Sequence, residues 1–169
     1  MTSSEPSSAV RWAARVGIAS LLPYAAIKAY WAFGGRAGLR DGFDLAVEFR
    51  RNGAPEPIIW LEEHGIDFTA ALAAVGAVLL LALVRPWGTR LPRWTLLVPA
   101  WAGAVLFLPY GSLTALLAFS DGTDRNAATT GWLTVAAVMA FCGAGGSLGV
   151  CARSYQRRSK GAVLSEGPG

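Results

Sequence analysis

The chain has 169 residues, a length typical of one domain. Hydrophobic residues make up 53% of it, and 20 glycines raise the apolar share to about 65%, against about 45–50% in soluble chains. Charged residues are 15%, where about 25% is usual. This composition excludes a disordered chain and leaves too little polar surface for a soluble domain, so it predicts a multi-pass membrane protein.

Four apolar stretches follow one another along the chain, and each is close to or longer than the length of about 20 residues that a helix needs to cross the hydrocarbon core. They predict membrane spans over about residues 16–33, 67–84, 95–119 and 130–151. No stretch alternates apolar and polar residues as the strands of membrane barrels do. The sequence therefore predicts an all-α fold, an integral membrane four-helix bundle in residues 11–152, with disordered tails at 1–10 and 153–169.

The first span has an alternative interpretation as a cleaved signal peptide, because the basic residues Arg11 and Arg15 precede it. Pro23 and Lys28 interrupt its apolar run, and no clean cleavage site of small residues follows before Gly34. We therefore favour a membrane span that is retained.

The largest segment outside the predicted membrane is the loop of residues 34–66. Within it, Leu39, Phe43 and Val47 fall four residues apart, which predicts a short helix with one apolar face on the membrane surface. Long loops often carry function, so this loop is a candidate interaction surface.

The charged residues are divided between the two sides of the predicted bundle. One side has nine cations and two acids: Arg11, Arg15, Arg85, Arg90, Arg93, Arg153, Arg157, Arg158 and Lys160, with Glu5 and Glu166. The other has five cations and nine acids: Arg36, Arg40, Arg50, Arg51 and Arg125, with Asp41, Asp44, Glu48, Glu56, Glu62, Glu63, Asp67, Asp121 and Asp124. Because cytoplasmic loops carry the excess of Lys and Arg, both termini are predicted to be cytoplasmic and residues 34–66 extracytoplasmic. The net charge of +4 then indicates topology and contact with anionic lipid, and not nucleic-acid binding.

A weak internal repeat relates the first and third spans. Leu22-Pro23-Tyr24 and Leu108-Pro109-Tyr110 are each followed, at the same distance, by an Ala-Phe pair. The match is compatible with two parallel helix hairpins, residues 11–84 and 93–152, as in transporters built from repeats. Coincidence within apolar sequence is the alternative.

Lys28 places a charge inside the first predicted span, and an ionisable residue there is costly and suggests function. Its candidate partners are the acids that lead into the second span: Asp67, Glu63 and Glu62. Tyr24 lies one turn before Lys28 and Trp31 about one turn after it, on the same helix face. This polar site either binds a ligand, or is a structural ion pair or a lysine that reaches the outer interface.

Few other residues offer site chemistry. His64, the only histidine, follows two glutamates and joins the candidate polar site, but metal binding needs three or four converging ligands. Cys142 and Cys151 are separated by about 13.5 Å along a helix, which is too far for a disulfide. No paired nucleophile and base is present, so we predict no catalytic residue, no metal and no cofactor.

The glycines of the last span form the pattern Gly143-x-Gly145-x-x-x-Gly149. No strand precedes them, so a nucleotide-binding interpretation fails in this context. Small residues four apart let helices approach closely, and Gly145 and Gly149 are therefore predicted to pack against another helix of the chain or of a second copy.

Two segments carry a resemblance, Tyr30-Trp31-Ala32-Phe33-Gly34-Gly35 and Leu83-Val84-Arg85-Pro86-Trp87-Gly88, the second followed by Leu91-Pro92-Arg93-Trp94. In them the chain resembles small uncharacterised multi-pass membrane proteins of high-GC actinobacteria, over most of residues 11–152. The resemblance implies a bacterial plasma-membrane location and no established activity.

Three functional hypotheses follow. The first is a non-enzymatic scaffold or partner-interaction protein, as a homo-oligomer or with another membrane protein, based on the outer loop, the basic tail and the glycines. The second is a small transporter or ligand-binding membrane protein that uses Lys28 with Asp67 or Glu63. The third is a membrane enzyme of lipid or envelope chemistry.

Overall fold

A computed structural model describes residues 5–39, 42, 44, 47, 50–51, 53–64, 66–120 and 131–165. The described residues form five α-helices: α1 (Ser8–Ala32), α2 (Glu56–Glu63), α3 (Phe68–Val84), α4 (Arg93–Ser120) and α5 (Gly131–Ser165). A 3₁₀ turn, Pro86–Arg90, connects α3 to α4. No strand occurs among these residues, which confirms the all-α prediction for the described part of the chain.

Local sequence explains where these helices begin. Ser7 accepts a hydrogen bond from the Val10 amide at 3.4 Å and caps α1. Asp67 caps α3 in the same way, through the amides of Thr69 and Ala70 at 2.8 and 2.9 Å. Such side chains satisfy amides that have no partner within the helix. Pro57 lies in the first turn of α2, where a missing amide proton is tolerated.

The last helix organises the packing. α5 packs most extensively against α4 and next against α1, and α3 packs on α1. Close approach of α1 and α5 depends on small residues, because a Cβ added at Gly17 would lie 2.5 Å from Ser147 Cβ. A Cβ added at Gly143 would likewise lie 2.3 Å from Ser20 Oγ. Of the pairs of long helices that are in contact, α3 and α4 touch each other least.

The buried core is concentrated towards one end of the bundle. Its largest cluster joins the start of α1, the end of α3 and the second half of α5 through residues such as Ala14, Leu80, Leu83, Leu148 and Cys151. A smaller cluster of Leu21, Ala73, Ala140 and Ala144 lies nearer the other end. The bundle is therefore more tightly filled at the end where α1 begins.

The disordered tails predicted at residues 1–10 and 153–169 are corrected, since α1 already begins at Ser8. Residues 153–165, predicted to be disordered, continue α5, because Tyr155 is 5% exposed in the core and donates a hydrogen bond to Gly88 O at 3.3 Å. The predicted loop 34–66 contains the helix α2. The surface helix predicted around Phe43 falls largely outside the described residues.

Two helices of the described chain are long and apolar enough to cross a membrane: Arg93–Ala118, with a mean hydropathy of 1.6, and Gly131–Ser159, with 1.8. Thr69–Val84 is apolar but shorter. Only 22% of the most apolar stretch of Arg93–Ala118 is buried within the bundle, and large side chains such as Leu106 and Leu116 are exposed. An apolar helix in the core of a soluble protein would be mostly buried.

Candidate functional site

A buried ion pair joins α1 to the start of α3. Lys28 Nζ lies 3.1 Å from Asp67 Oδ2, and the two side chains are 9% and 2% exposed. The second carboxylate oxygen, Oδ1, accepts hydrogen bonds from the Thr69 amide and hydroxyl and from the Ala70 amide. Asp67 therefore both caps α3 and neutralises the lysine, which removes most of the penalty for burying either charge.

Two aromatic rings complete the surroundings of Lys28. Its Nζ lies 5.0 Å from the centroid of the Trp31 ring and 6.0 Å from that of Tyr24, within the range of cation–π attraction. The Trp31 indole donates a hydrogen bond to Ala37 O at 2.9 Å, which holds the ring in place. The predicted strip of Tyr24, Lys28 and Trp31 thus lies on one side of α1 and faces Asp67.

An apolar cavity of about 410 Å³ lies next to this pair, among all four long helices. Tyr24 and Thr69, which contact Lys28 and Asp67 respectively, form part of its wall. The rest of the wall is almost entirely apolar and includes Gly76, Phe107 and Ala144. Leu72 and Leu106, on α3 and α4, line the cavity and are 46% and 65% exposed, so it opens where these two helices separate.

The two tyrosines of the Leu-Pro-Tyr repeat reach the same ring in this cavity. The centroid of Phe141 lies 5.7 Å from that of Tyr24 and 4.9 Å from that of Tyr110, and both tyrosines line the cavity. Phe107 contacts Phe141 at 5.7 Å as well. Aromatic pairs at such distances hold one another in place. The internal duplication stays a prediction, but its matching tyrosines share one site.

Glu63 and His64, which the sequence analysis grouped with Lys28, lie in a different place. Glu63 forms its ion pair with Arg50, and both side chains are partly exposed. The His64 ring stacks on Trp60 with centroids 4.1 Å apart, and its Nδ1 lies 2.7 Å from Trp60 O. The acid that pairs with Lys28 is thus Asp67 and not Glu63. Asp67 caps α3, the helix that packs on α1, whereas Glu63 is the last residue of α2. The side chain of Glu62 lies outside the described part.

The glycines of α5 pack within the chain. A Cβ added at Gly145 would lie 2.8 Å from Leu108 N of α4, and one at Gly149 would lie 3.6 Å from Ala104 Cβ. A Cβ at Gly146 would meet nothing within 4 Å. Gly145 therefore allows the backbones of α4 and α5 to approach, while Gly146 lies at an open surface.

The possible metal ligands and the two thiols of the described residues are dispersed. No group of three or more His, Cys, Asp and Glu side chains there converges as metal ligands. Cys142 and Cys151 are free thiols, as their spacing on one helix predicts.

Two members of the site, Thr69 and Phe141, are not among the residues predicted from the sequence. Thr69 was detectable, because a hydroxyl two residues after a capping Asp is well placed to hydrogen-bond to it. Phe141 had no local signal, since it is one apolar residue among many in α5 and only the approach of α1 and α4 brings the two tyrosines to it.

Comparison with known proteins identifies a family but no characterised relative. The family model DUF3995, described as a protein of unknown function, matches residues 21–134, more than half of the chain. The match includes Lys28, Asp67 and Tyr110 and ends before Phe141. No curated protein and no solved structure matches the chain. The chain belongs to the DUF3995 family of proteins of unknown function.

Proposed function

We propose that this chain is a multi-pass protein of the plasma membrane whose four long helices cross the bilayer. The support is the apolar surface of the bundle, which extends along α4 and includes Val98, Val105, Leu106 and Leu116, each more than 60% exposed. In water, so large an apolar surface would drive association, whereas lipid tails cover it without penalty. α3 is short for a span, and Asp67 at its start and Arg85 at its end would lie near the two interfaces.

The charges favour an orientation with both termini in the cytoplasm. Among the described residues, arginines such as Arg11, Arg15, Arg85 and Arg158 lie at the end where α1 begins and α3 ends, whereas Glu56, Glu63 and Asp67 lie at the other end. The positive-inside tendency then assigns the first end to the cytoplasm. In this orientation the Lys28–Asp67 pair lies near the outer surface.

The function that the geometry supports best is binding of a small amphiphilic molecule in the apolar cavity, for storage, sensing or transport. One observation carries this proposal: Tyr24 and Thr69, which contact the buried Lys28–Asp67 pair, form part of the wall of an apolar cavity that opens between α3 and α4. The lysine ammonium has three N–H donors, and Asp67 faces only one side of it. A polar acceptor group of a ligand would reach Lys28 past Tyr24, while its apolar part occupies the cavity.

The opening determines how such a molecule enters. Because the cavity is bordered by exposed Leu72 and Leu106, an apolar molecule can reach it sideways from the bilayer without crossing water. Ligand sites are commonly apolar pockets with a few polar groups that orient the ligand. A cavity of about 410 Å³ lies within the usual range of about 300–1,000 Å³.

The test uses a fatty acid that carries a photoactivatable group on its acyl chain. This probe is added to the intact protein in a neutral detergent. We expect cross-links to peptides that contain Phe141 or Leu72, competed by the unmodified fatty acid. Gly76→Leu should abolish them, because a Cβ at Gly76 makes only an ordinary contact of 3.7 Å with Leu21 and the longer side chain extends into the cavity. Gly146→Leu, the same change at an open surface, should leave them unchanged.

The proposal also predicts a role for the charge. The double variant Lys28→Met/Asp67→Asn, which removes the ammonium without leaving a buried carboxylate unpaired, should reduce cross-linking more than tenfold if the ammonium binds the carboxylate of the probe. Cross-links that are equally strong in wild type and Gly76→Leu, or distributed over the whole lipid-facing surface, would refute the cavity as a binding site.

A second candidate is the scaffold role, as an oligomer of this chain. A shallow groove of about 480 Å³ runs along α4 and α5, between Trp101 and the open Gly146. Small residues at such a surface let a second helix approach. Cross-linking in native membranes should then capture a dimer that Gly146→Leu weakens, and capture of the monomer alone would remove this candidate.

A further inference from the structure

A second cleft, of about 500 Å³, lies at the end of the bundle opposite Lys28. It is formed by the start of α1, the end of α3 with the following 3₁₀ turn, and the last part of α5. Four arginines and one acid line it: Arg11, Arg15, Arg85 and Arg158, with Glu5. We call this the arginine cleft. Its walls also include apolar side chains such as Ile18, Leu81 and Val84, so it is basic and apolar at once.

Arg158 is the most deeply placed of these cations. Its Nη2 donates a hydrogen bond of 2.8 Å to Leu83 O at the end of α3, which positions the guanidinium. Its Nε is buried and has no hydrogen-bond partner in the described chain. No carboxylate of the described residues pairs with it, and its nearest aromatic neighbour is the Tyr155 ring, 5.7 Å from the guanidinium carbon. The guanidinium of Arg158 therefore contributes a fixed, half-buried positive charge that no acid of the described residues neutralises.

The other cations leave the cleft with an excess of positive charge. Arg11 pairs with Glu5 at 3.7 Å, but both side chains are exposed, so the pair holds weakly. The guanidinium carbon of Arg15 lies 5.5 Å from the centroid of the Trp12 ring, a contact that leaves its N–H donors available. Glu5 is thus one acid against four arginines. The cleft attracts an anion and offers several forked donors to it.

We propose that the arginine cleft binds a phosphate group. Planar guanidinium groups match phosphate oxygens with paired hydrogen bonds, and a phosphate would neutralise the excess positive charge of Arg158 and its neighbours. The apolar walls favour a phosphate attached to an acyl chain, as in the headgroup of an anionic phospholipid. Basic pockets between membrane helices on the cytoplasmic side bind such headgroups. This site is separate from the cavity at Phe141 and does not depend on a ligand there.

The experiment measures binding to the full chain in a neutral detergent by native mass spectrometry and by the shift of the thermal midpoint. The probes are phosphatidylglycerol, phosphatidylcholine and inorganic phosphate. We expect phosphatidylglycerol to bind at least tenfold more tightly than phosphatidylcholine and to raise the midpoint. Stabilisation by inorganic phosphate alone would support the same site with a soluble phosphate as its ligand.

Variants separate the cleft from general attraction to a basic protein. The double variant Arg11→Gln/Arg15→Gln keeps the hydrogen bond of Arg158 to α3 and should weaken phosphatidylglycerol binding at least tenfold. The control is Arg153→Gln/Arg157→Gln, which removes the same charge from exposed positions of α5 outside the cleft and should have a much smaller effect.

Equal losses of phosphatidylglycerol binding in the two double variants would overturn the proposal. So would binding of the two anionic probes, phosphatidylglycerol and inorganic phosphate, that is no tighter than binding of the zwitterionic phosphatidylcholine. These outcomes are independent of the fatty-acid experiment, because Gly76→Leu blocks the apolar cavity and leaves the arginine cleft intact.

Discussion

Lys28 Nζ lies 3.1 Å from Asp67 Oδ2, and this ion pair ties the C-terminal part of α1 to the capping residue of α3. Both charges are buried, so neither can be removed alone without leaving the other uncompensated. The pair therefore has a structural role whether or not a ligand also uses it, and the two roles are separated by stability and by binding.

Lys28→Met should destabilise the fold by about 3–5 kcal/mol, because it leaves a buried carboxylate without its partner. Thermal unfolding in detergent, followed by tryptophan fluorescence, measures the loss. The matched control is Arg50→Met, which removes an ion pair with Glu63 whose side chains are 53% and 39% exposed, and should change stability by less than about 1 kcal/mol. Equal losses in the two variants would contradict this account.

The double variant Lys28→Met/Asp67→Asn should recover part of the stability that Lys28→Met loses. Asparagine still accepts hydrogen bonds from the amides of Thr69 and Ala70 and caps α3, while the buried charge is gone. Denaturant unfolding of the two variants side by side provides the measurement. A double variant less stable than Lys28→Met would show that the carboxylate charge itself is needed at the cap.

Adjacent glycines of α5 should respond in opposite directions to alanine. Gly145→Ala places a Cβ 2.8 Å from the backbone of Leu108 and should force α4 and α5 apart. Gly146→Ala meets nothing within 4 Å and should be neutral or stabilise by up to about 1 kcal/mol, because alanine favours the helix. The thermal midpoints of the two variants test this, and a similar loss in both would argue against close packing at Gly145.

Removal of the chain after Ala152 should destabilise the bundle by at least about 3 kcal/mol, since it deletes the buried Tyr155 ring. It also removes the hydrogen bond from Arg158 to the end of α3. Truncation after Ser165 keeps both residues and serves as the control. If the two truncated chains unfold at the same temperature, residues 153–165 do not contribute to the core.

The proposed orientation is tested with cysteines introduced one at a time in a Cys142→Ala/Cys151→Ala chain. Glu56→Cys, in α2, should react with a membrane-impermeant maleimide in intact cells, because its side is assigned to the outside. Arg90→Cys, in the 3₁₀ turn, should react only after the cells are lysed. The reverse pattern would invert the topology, and reaction of both sites in intact cells would exclude a membrane between them.

Composition and apolar run length were enough to predict the helical architecture. The four stretches predicted as spans fall on α1, α3, α4 and α5, since helices of this length need only a continuous apolar sequence and no strand pattern competes. Lys28 was also predictable, because a charge inside an apolar stretch is visible in the sequence without any partner. The helical structure of residues 153–165 was not predictable, since a basic segment that is held by one buried tyrosine and one arginine has the composition of a polar tail.

The sequence by itself thus determined the helices, the uneven division of charge between their ends, and the position of Lys28 inside an apolar stretch. Only the tertiary structure decided that Asp67 and not Glu63 meets Lys28, that Tyr24 and Tyr110 share Phe141, and that Arg158 faces the end of α3. The physical reason is that spacing along a helix defines its faces but not its neighbours. Those neighbours are selected by close contacts such as Gly17 with Ser147, which involve residues that carry no signal of their own.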